Sequence, residues 1–166
     1  MDNVNTVVNL KQSWTLWYHP INCNDWTNSS YKKIIDIDNL YDINIIINKI
    51  YIENFHNSVF FIMKKGIFPN WEDKKNINGS CISLKISKKH LFNTWNNVII
   101  KLFYEFIFTN SDKNKKINGI SITPKKEFNI LKIWFDSDVN NLNYINEYKP
   151  NFLNKNYMYK KNTPYS

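Results

Sequence analysis

The chain has no arginine and no alanine, and only two cysteines, Cys23 and Cys81. Without arginine no bidentate guanidinium fork is available, so any phosphate would be met by lysine point charges. Two cysteines make neither a disulfide framework nor a metal quartet, which fits a reducing, cytoplasmic setting. No run of about 18 uncharged apolar residues occurs, so no membrane-spanning helix is expected. The opening "MDNVNTVVNLKQSW" lacks a basic start followed by an apolar stretch and does not read as a secretory signal. His19, His56 and His90 are scattered. With no nucleophile–base pair and no metal-ligand spacing, the sequence points away from an enzyme, a metal or a cofactor. No internal repeat is visible.

What is present is charge and aromatic mass. A chain of 166 residues suits one domain with a single core. Its 22 basic residues, all lysine, stand against 14 acids, a formal net charge of +8. The excess suits an anionic partner, although a solvated lysine surface gives the same balance. Heavy use of Asn, Ile and Lys reads as the codon bias of an AT-rich genome, such as a parasite's or a large DNA virus's. Six tryptophans, ten tyrosines and eleven phenylalanines are rich for this length.

Hydrophobic periodicity orders the chain as strand, helix, two strands, long helix, two strands. "SWTLWYH" (13–19) alternates as a strand, and "DNLYDINIIINKI" (38–50) opens on an Asp/Asn cap and continues as a helix. "SVFFIMKKG" (58–66) and "CISLKIS" (81–87) are strands. "HLFNTWNNVIIKLFYEFIF" (90–108) is the longest helical pattern, with Leu91, Trp95, Val98, Leu102 and Phe106 on one stripe. After a polar loop (109–116), "NGISIT" and "NILKIWF" are strands joined by a lysine-rich turn. The expectation is an α+β fold: an antiparallel sheet with helices segregated on one face. Residues 1–12 read as a loose arm, 13–149 as the folded domain and 150–166 as a basic, aromatic tail without a period.

The tryptophans sort by surroundings. Trp14 and Trp95 sit in apolar periods and read as core. Trp26 and Trp71 stand in polar loops, where a large ring either tucks back onto the sheet or serves as a binding platform. Trp134 shares a strand face with Lys132 and Ile130, which suits a partly wet surface. "GIFPNWEDKKN" (66–76) also puts two acids on a turn of a basic protein. Two parallel indoles can clamp a flat ring, and a cationic ring gains a cation–π contribution from each. The adjoining Glu72 carboxylate could accept the parallel N1–H and N2–H of guanine. A guanine methylated at N7 is positively charged, so stack and carboxylate both favour it, while lysines beyond would meet attached phosphates.

These stretches resemble the messenger-RNA cap-binding proteins of the eukaryotic translation initiation factor 4E family. "SWTLWYH" is similar to the family's opening Trp-x-x-Trp strand. "NDWTNSSYKKI" and "GIFPNWEDKKNINGS" resemble its two stacking loops, "HLFNTWNNVIIKL" its long helix, and "NGISIT…ILKIW" its closing strand pair. The resemblance implies a curved antiparallel sheet backed by helices, with 7-methylguanosine bound on the concave face. Trp26 and Trp71 would form the sandwich, Glu72 would read the guanine edge, and Trp134 would sit against the N7 methyl.

Departures from the family pattern fall on the phosphate side and the partner face. Lys125 and Ile130 occupy the family's basic positions before the closing Trp, which leaves Lys125, Lys132 and Lys126 as candidate phosphate ligands. On the face where the family docks a helix of scaffold factor 4G, Asn44 and Asn96 replace the apolar anchors, and Val8–Asn9 stand in place of a His-Pro pair. The partners implied are capped mRNA and, instead of the standard scaffold, a dedicated protein or none. The alternatives left open are a general single-stranded RNA binder, or a decoy or interaction protein that keeps the fold without the cap.

Overall fold

The computed structural model describes residues 7–51, 53–109, 111–139 and 157–162. The first half of the expected arm and most of the expected tail, 1–6, 150–156 and 163–166, lie outside the described residues. The described residues form one sheet of seven antiparallel strands in the order β2-β1-β3-β5-β6-β4-β7. These are β1 (Asn9–Pro20), β2 (Lys32–Asn39), β3 (Ser58–Lys64), β4 (Ser80–Ser87), β5 (Ile117–Pro124), β6 (Phe128–Phe135) and β7 (Tyr157–Lys161). Among the described residues they are accompanied by the helices α1 (Leu40–Lys49), α2 (Asn54–Asn57), α3 (Leu91–Phe103) and α4 (Ser111–Lys115). The α+β architecture is as the periodicity implies.

Because side chains alternate across a strand, each strand contributes to two faces. Trp14 and Leu16 of β1 enter the main core with Phe60 and Ile62 of β3, Ile82 and Leu84 of β4, and Trp95, Val98 and Leu102 of α3. The alternate residues build a smaller cluster on the opposite face: Val59, Phe61 and Met63 of β3 with Trp134 of β6, Tyr31 and Ile67. Trp17, Ile21, Phe68 and Trp71 pack against it. A sheet face that would otherwise be polar is thus apolar in its middle, with loop residues laid over it.

Local chemistry sets the element ends. The Asn39 side chain accepts from the backbone of Tyr41 and Asp42, while the Asp42 carboxylate accepts from the Asn39 N–H at 3.2 Å, a reciprocal capping box. At the far end of β3, Gly66 takes φ +88°, a left-handed turn suited to glycine. The long helical stripe stops earlier than its period implies. α3 ends at Phe103, Glu105 adopts φ +53°, and Phe106 is exposed instead of lying on the buried stripe. The Phe106 N–H returns to the Lys101 carbonyl at 2.7 Å, closing the helix with a left-handed residue that is not glycine.

Besides the short α2, three further elements differ from the sequence reading. β2 is hidden between a turn-rich stretch and a helix cap, although Ile35 and Ile37 alternate with Ile34 and Asp36. The polar loop at 109–116 contains α4, whose buried Asn114 side chain accepts from the Phe108 N–H and donates to the Phe108 carbonyl. Within the aperiodic tail, residues 157–161 form β7, paired with β4 from Ser80↔Lys161 to Leu84↔Tyr157.

Candidate nucleic-acid interface

Two loops rise over the smaller apolar cluster. The first, 21–31, leaves the end of β1 and carries Trp26. His19 is fully buried beneath it, and its ring stacks on the Trp26 indole at 3.8 Å with planes 4° apart. The His19 Nε2 lies 2.8 Å from the Asp25 carbonyl and 3.0 Å from Ser30 Oγ. A carbonyl can only accept, so Nε2 carries the proton. One Trp26 face is therefore covered by imidazole, and the residue as a whole remains 52% exposed. The Asp25 carboxylate accepts the Thr27 N–H at 2.8 Å, and that backbone bond is the main reason its pKa lies below the ordinary value.

The second loop, 66–79, carries Trp71, Glu72 and Asp73, and its two acids do different work. Asp73 folds the loop: its carboxylate accepts the backbone N–H of Phe68 at 2.9 Å and of Lys75 at 2.8 Å. Glu72 is exposed. Burial pushes the Tyr31 phenol up, and the nearby Glu72 carboxylate adds to that rise. Trp71 is half-buried against the cluster.

The loops meet. Asn70 Nδ2 donates to Asn28 Oδ1 at 3.3 Å, and Tyr31 packs edge-on to Phe68 at 5.1 Å between centroids. Below the second loop, buried Asn76 donates through Nδ2 to the carbonyls of Phe68 and Asn70, and its Oδ1 accepts from Asn118 Nδ2. The Asn76 carbonyl accepts from Asn162 Nδ2, just past β7. Gly79 is obligatory beside this joint, because a Cβ there would stand 1.9 Å from the Phe135 carbonyl. A single sequence carries no signal that Asn76, Asn118 and Asn162 would meet. His19 could have been found, since it follows Trp17 by two on the same strand face.

Trp134 is a correction to the sequence reading. It is only 7% exposed, and its Nε1–H donates to Ser121 Oγ at 3.0 Å. The lysine that suggested a wet face helps to close it, since Lys132 Nζ lies 5.0 Å from the indole centroid. Beside it Cys81, paired with Trp134 across β4, is buried. Desolvation pushes its thiol pKa up, against the opposing charges of Lys132 and Lys160.

The phosphate candidates occupy two places. Lys132 is on the apolar face next to Trp134. Lys125 and Lys126 sit at the β5–β6 turn, where the Lys125 N–H donates to the Phe128 carbonyl at 2.9 Å. Four residues of strand, roughly 14 Å, separate Lys132 from Phe128. On the helix side, Asn44 is exposed on α1, accepting at both oxygens from Asn48 Nδ2, and Asn96 is half-buried on α3. Among the described residues no group of three or more His, Cys, Asp or Glu could hold a metal ion, and no helix is long and apolar enough to cross a membrane.

The profile of the eukaryotic initiation factor 4E family matches residues 9–164, almost the whole chain. The chain belongs to the initiation factor 4E family. An initiation factor 4E homolog of Acanthamoeba polyphaga mimivirus is 31% identical over 70 residues, 42% of this chain and 26% of that protein. The chain therefore matches only about a quarter of the viral relative's length. Initiation factor 4E of Candida albicans is 28% identical over 148 residues, covering 83% of this chain and 69% of the yeast protein. Among solved structures, C. elegans eIF4E-3, in complex with the 4E-binding protein Mextli and a cap analog, superposes with a TM-score of 0.70 at 21% identity. That superposition covers 80% of this chain and 76% of the worm protein. Schistosome eIF4E, complexed with m7GpppG and 4E-BP, gives 0.72 at 17% identity over 81% and 75%. The family's curved sheet, with helices behind it, is the fold of this chain.

Proposed function

We propose that the chain binds the 7-methylguanosine 5′ cap of mRNA and acts in the cytoplasm as a translation initiation factor, without catalysis. The observation that carries this reading is the convergence of the Trp26 and Trp71 loops, with the exposed Glu72 next to Trp71 in a basic protein. The exposed indole of Trp26 and that of Trp71 supply the stacking faces. Glu72 accepts the two N–H groups of the guanine edge, and the backbone N–H of Trp71 donates to O6. Trp134, already a cation–π partner for Lys132, offers its ring to the N7 methyl. The Lys132 ammonium then turns to the phosphates, with Lys125 and Lys126 further along the chain. The cap analogs bound by the worm and schistosome relatives support the same ligand class.

The test is tryptophan fluorescence quenching by methylated and unmethylated guanosine triphosphate. Cation–π contacts contribute about 0.5–2 kcal/mol each, so methylation is expected to tighten binding by roughly tenfold or more. Removing one stacking face with Trp71→Ala should lose roughly 1–3 kcal/mol. Equal affinity for both nucleotides would favour a general single-strand binder, and no quenching by either would favour a decoy that keeps only the fold.

The partner surface follows from the same family resemblance. Asn44 and Asn96 offer no apolar anchor for a helix laid in a groove, and such anchors carry most of the energy of that contact. A peptide from the standard scaffold is expected to bind at least tenfold more weakly than it binds a family member with the apolar residues. Asn44→Trp together with Asn96→Leu should recover much of the difference. Unaltered scaffold affinity in the native chain would remove the case for a dedicated partner.

A further inference from the structure

An open groove of about 340 Å³ lies at the rim of the sheet, lined by Ile21, His56, Lys88, Pro124, Lys125 and Lys126. Three of its six lining residues are lysines, and none is a carboxylate. Among the described residues none of these lysines is in an ion pair, whereas Lys33, Lys65, Lys115 and Lys161 all are. Lys88 Nζ lies 3.5 Å from Oδ1 of the fully buried Asn129, which holds that lysine at the groove. Ile21 and Pro124 supply apolar wall, and His56 a ring that can stack or hydrogen-bond.

The groove shares Ile21 with the candidate cap site. Ile21 lines it and also packs on the apolar cluster under the two tryptophan loops. Its N–H donates to the Asn57 carbonyl at 2.9 Å, tying the start of the Trp26 loop to α2, which carries His56. The β5–β6 turn closes the other side. A chain leaving the slot past Ile21 therefore meets unneutralised lysines and an apolar wall.

We propose that this groove binds the first transcribed nucleotides of the capped RNA, as a second site beyond the cap itself. The inference rests on the cap-binding reading. The lysines take successive phosphodiesters, and Ile21, Pro124 and His56 take a base or ribose edge. Single-stranded RNA is held in this way elsewhere: a positive groove tracks the backbone while rings and apolar side chains meet the bases. Lys125, at the junction, joins the end of the triphosphate to the start of this track.

The experiment compares three ligands: 7-methylguanosine triphosphate, a capped oligonucleotide of five nucleotides, and the same oligonucleotide uncapped. They are titrated against the native chain, Lys88→Glu/His56→Ala, and Lys49→Glu as a matched charge control on α1. The native chain should bind the capped oligonucleotide more tightly than the cap nucleotide. The double variant should lose about tenfold on the capped oligonucleotide and less than twofold on the cap nucleotide, and the control should change neither. The salt slope for the capped oligonucleotide should flatten by about 0.7 for each phosphate no longer held, with no change for the cap nucleotide. Equal losses on both ligands, or no advantage of the oligonucleotide over the cap nucleotide, would overturn the proposal. If the cap nucleotide fails to bind the native chain, the cap reading falls by itself. The uncapped arm then decides the groove: a flattened slope in the double variant supports it, and an unchanged slope ends it.

Discussion

Glu72→Gln is expected to weaken binding of 7-methylguanosine triphosphate by roughly ten- to a hundredfold while leaving the folded state untouched. Hydrogen bonds to a charged group contribute about 1.5–3 kcal/mol, and the amide can accept only one of the two guanine N–H groups. Its NH₂ turns a donor toward the second, so that bond becomes a repulsion. The carboxylate also faces a cationic ring, which the amide does not neutralise. The loss should therefore be larger for the methylated nucleotide than for plain guanosine triphosphate, and the methyl preference should shrink. Exposed substitutions of this kind change stability by about 0.5 kcal/mol or less, so melting should not move. Asp73→Asn makes the contrast. Its carboxylate holds the backbone of Phe68 and Lys75, so that variant should lower stability first and affinity only as a consequence. A Glu72→Gln variant within twofold of native affinity would take the acid out of the binding site.

The division of labour between these neighbouring acids shows how far residues alone can be read. "WED" on a Gly/Pro-marked turn announces a functional loop, because no apolar period accounts for it. Which acid faces outward depends on where the loop's backbone N–H groups point, and that is decided by Phe68, Asn70 and Lys75 together. Strands and helices with a clean period, such as β1, β3, β6 and α1, are legible because burial on one face fixes the register. The end of α3 is not. Phe106 continues the stripe in sequence, but the chain turns left-handed at Glu105 and seats Ile107 and Phe108 in the core instead. β2 and β7 are edge-side strands. Residues of β7 are largely exposed, so they carry little alternation, and their pairing with β4 is a long-range fact. Trp134 reads as partly wet only while the lysine on its face is counted as solvent. The stem and ammonium of Lys132 act here as part of the cover.

The other large effect lies away from any ligand, at Asn76. The side chain is fully buried and satisfies the Phe68 and Asn70 carbonyls and the Asn118 amide at once. Truncation in Asn76→Ala leaves the Asn70 carbonyl without this donor, at about 1–3 kcal/mol for a group that water cannot reach, and takes one of two bonds from the Phe68 carbonyl and from the Asn118 amide, at about 0.5–1.5 kcal/mol each. A total of about 3 kcal/mol or more is expected, which lowers the melting temperature of a domain this size by roughly 6–12 °C. The same joint holds Asn162 and through it the end of β7, so cap affinity should fall together with order in the 66–79 loop. Asn76→Asp separates packing from hydrogen bonding, since it keeps the volume. An ionised carboxylate would point at two carbonyls in a dry site, so folding must raise its pKa. A group with a raised pKa in the folded state contributes most when protonated. The deficit of this variant relative to the native chain should therefore grow as pH rises above the ordinary carboxylate range, opposite to the usual acid lability. Melting of Asn76→Ala within about 2 °C of native, a stability cost of no more than about 1 kcal/mol, would show that the two tryptophan loops keep their places without this joint.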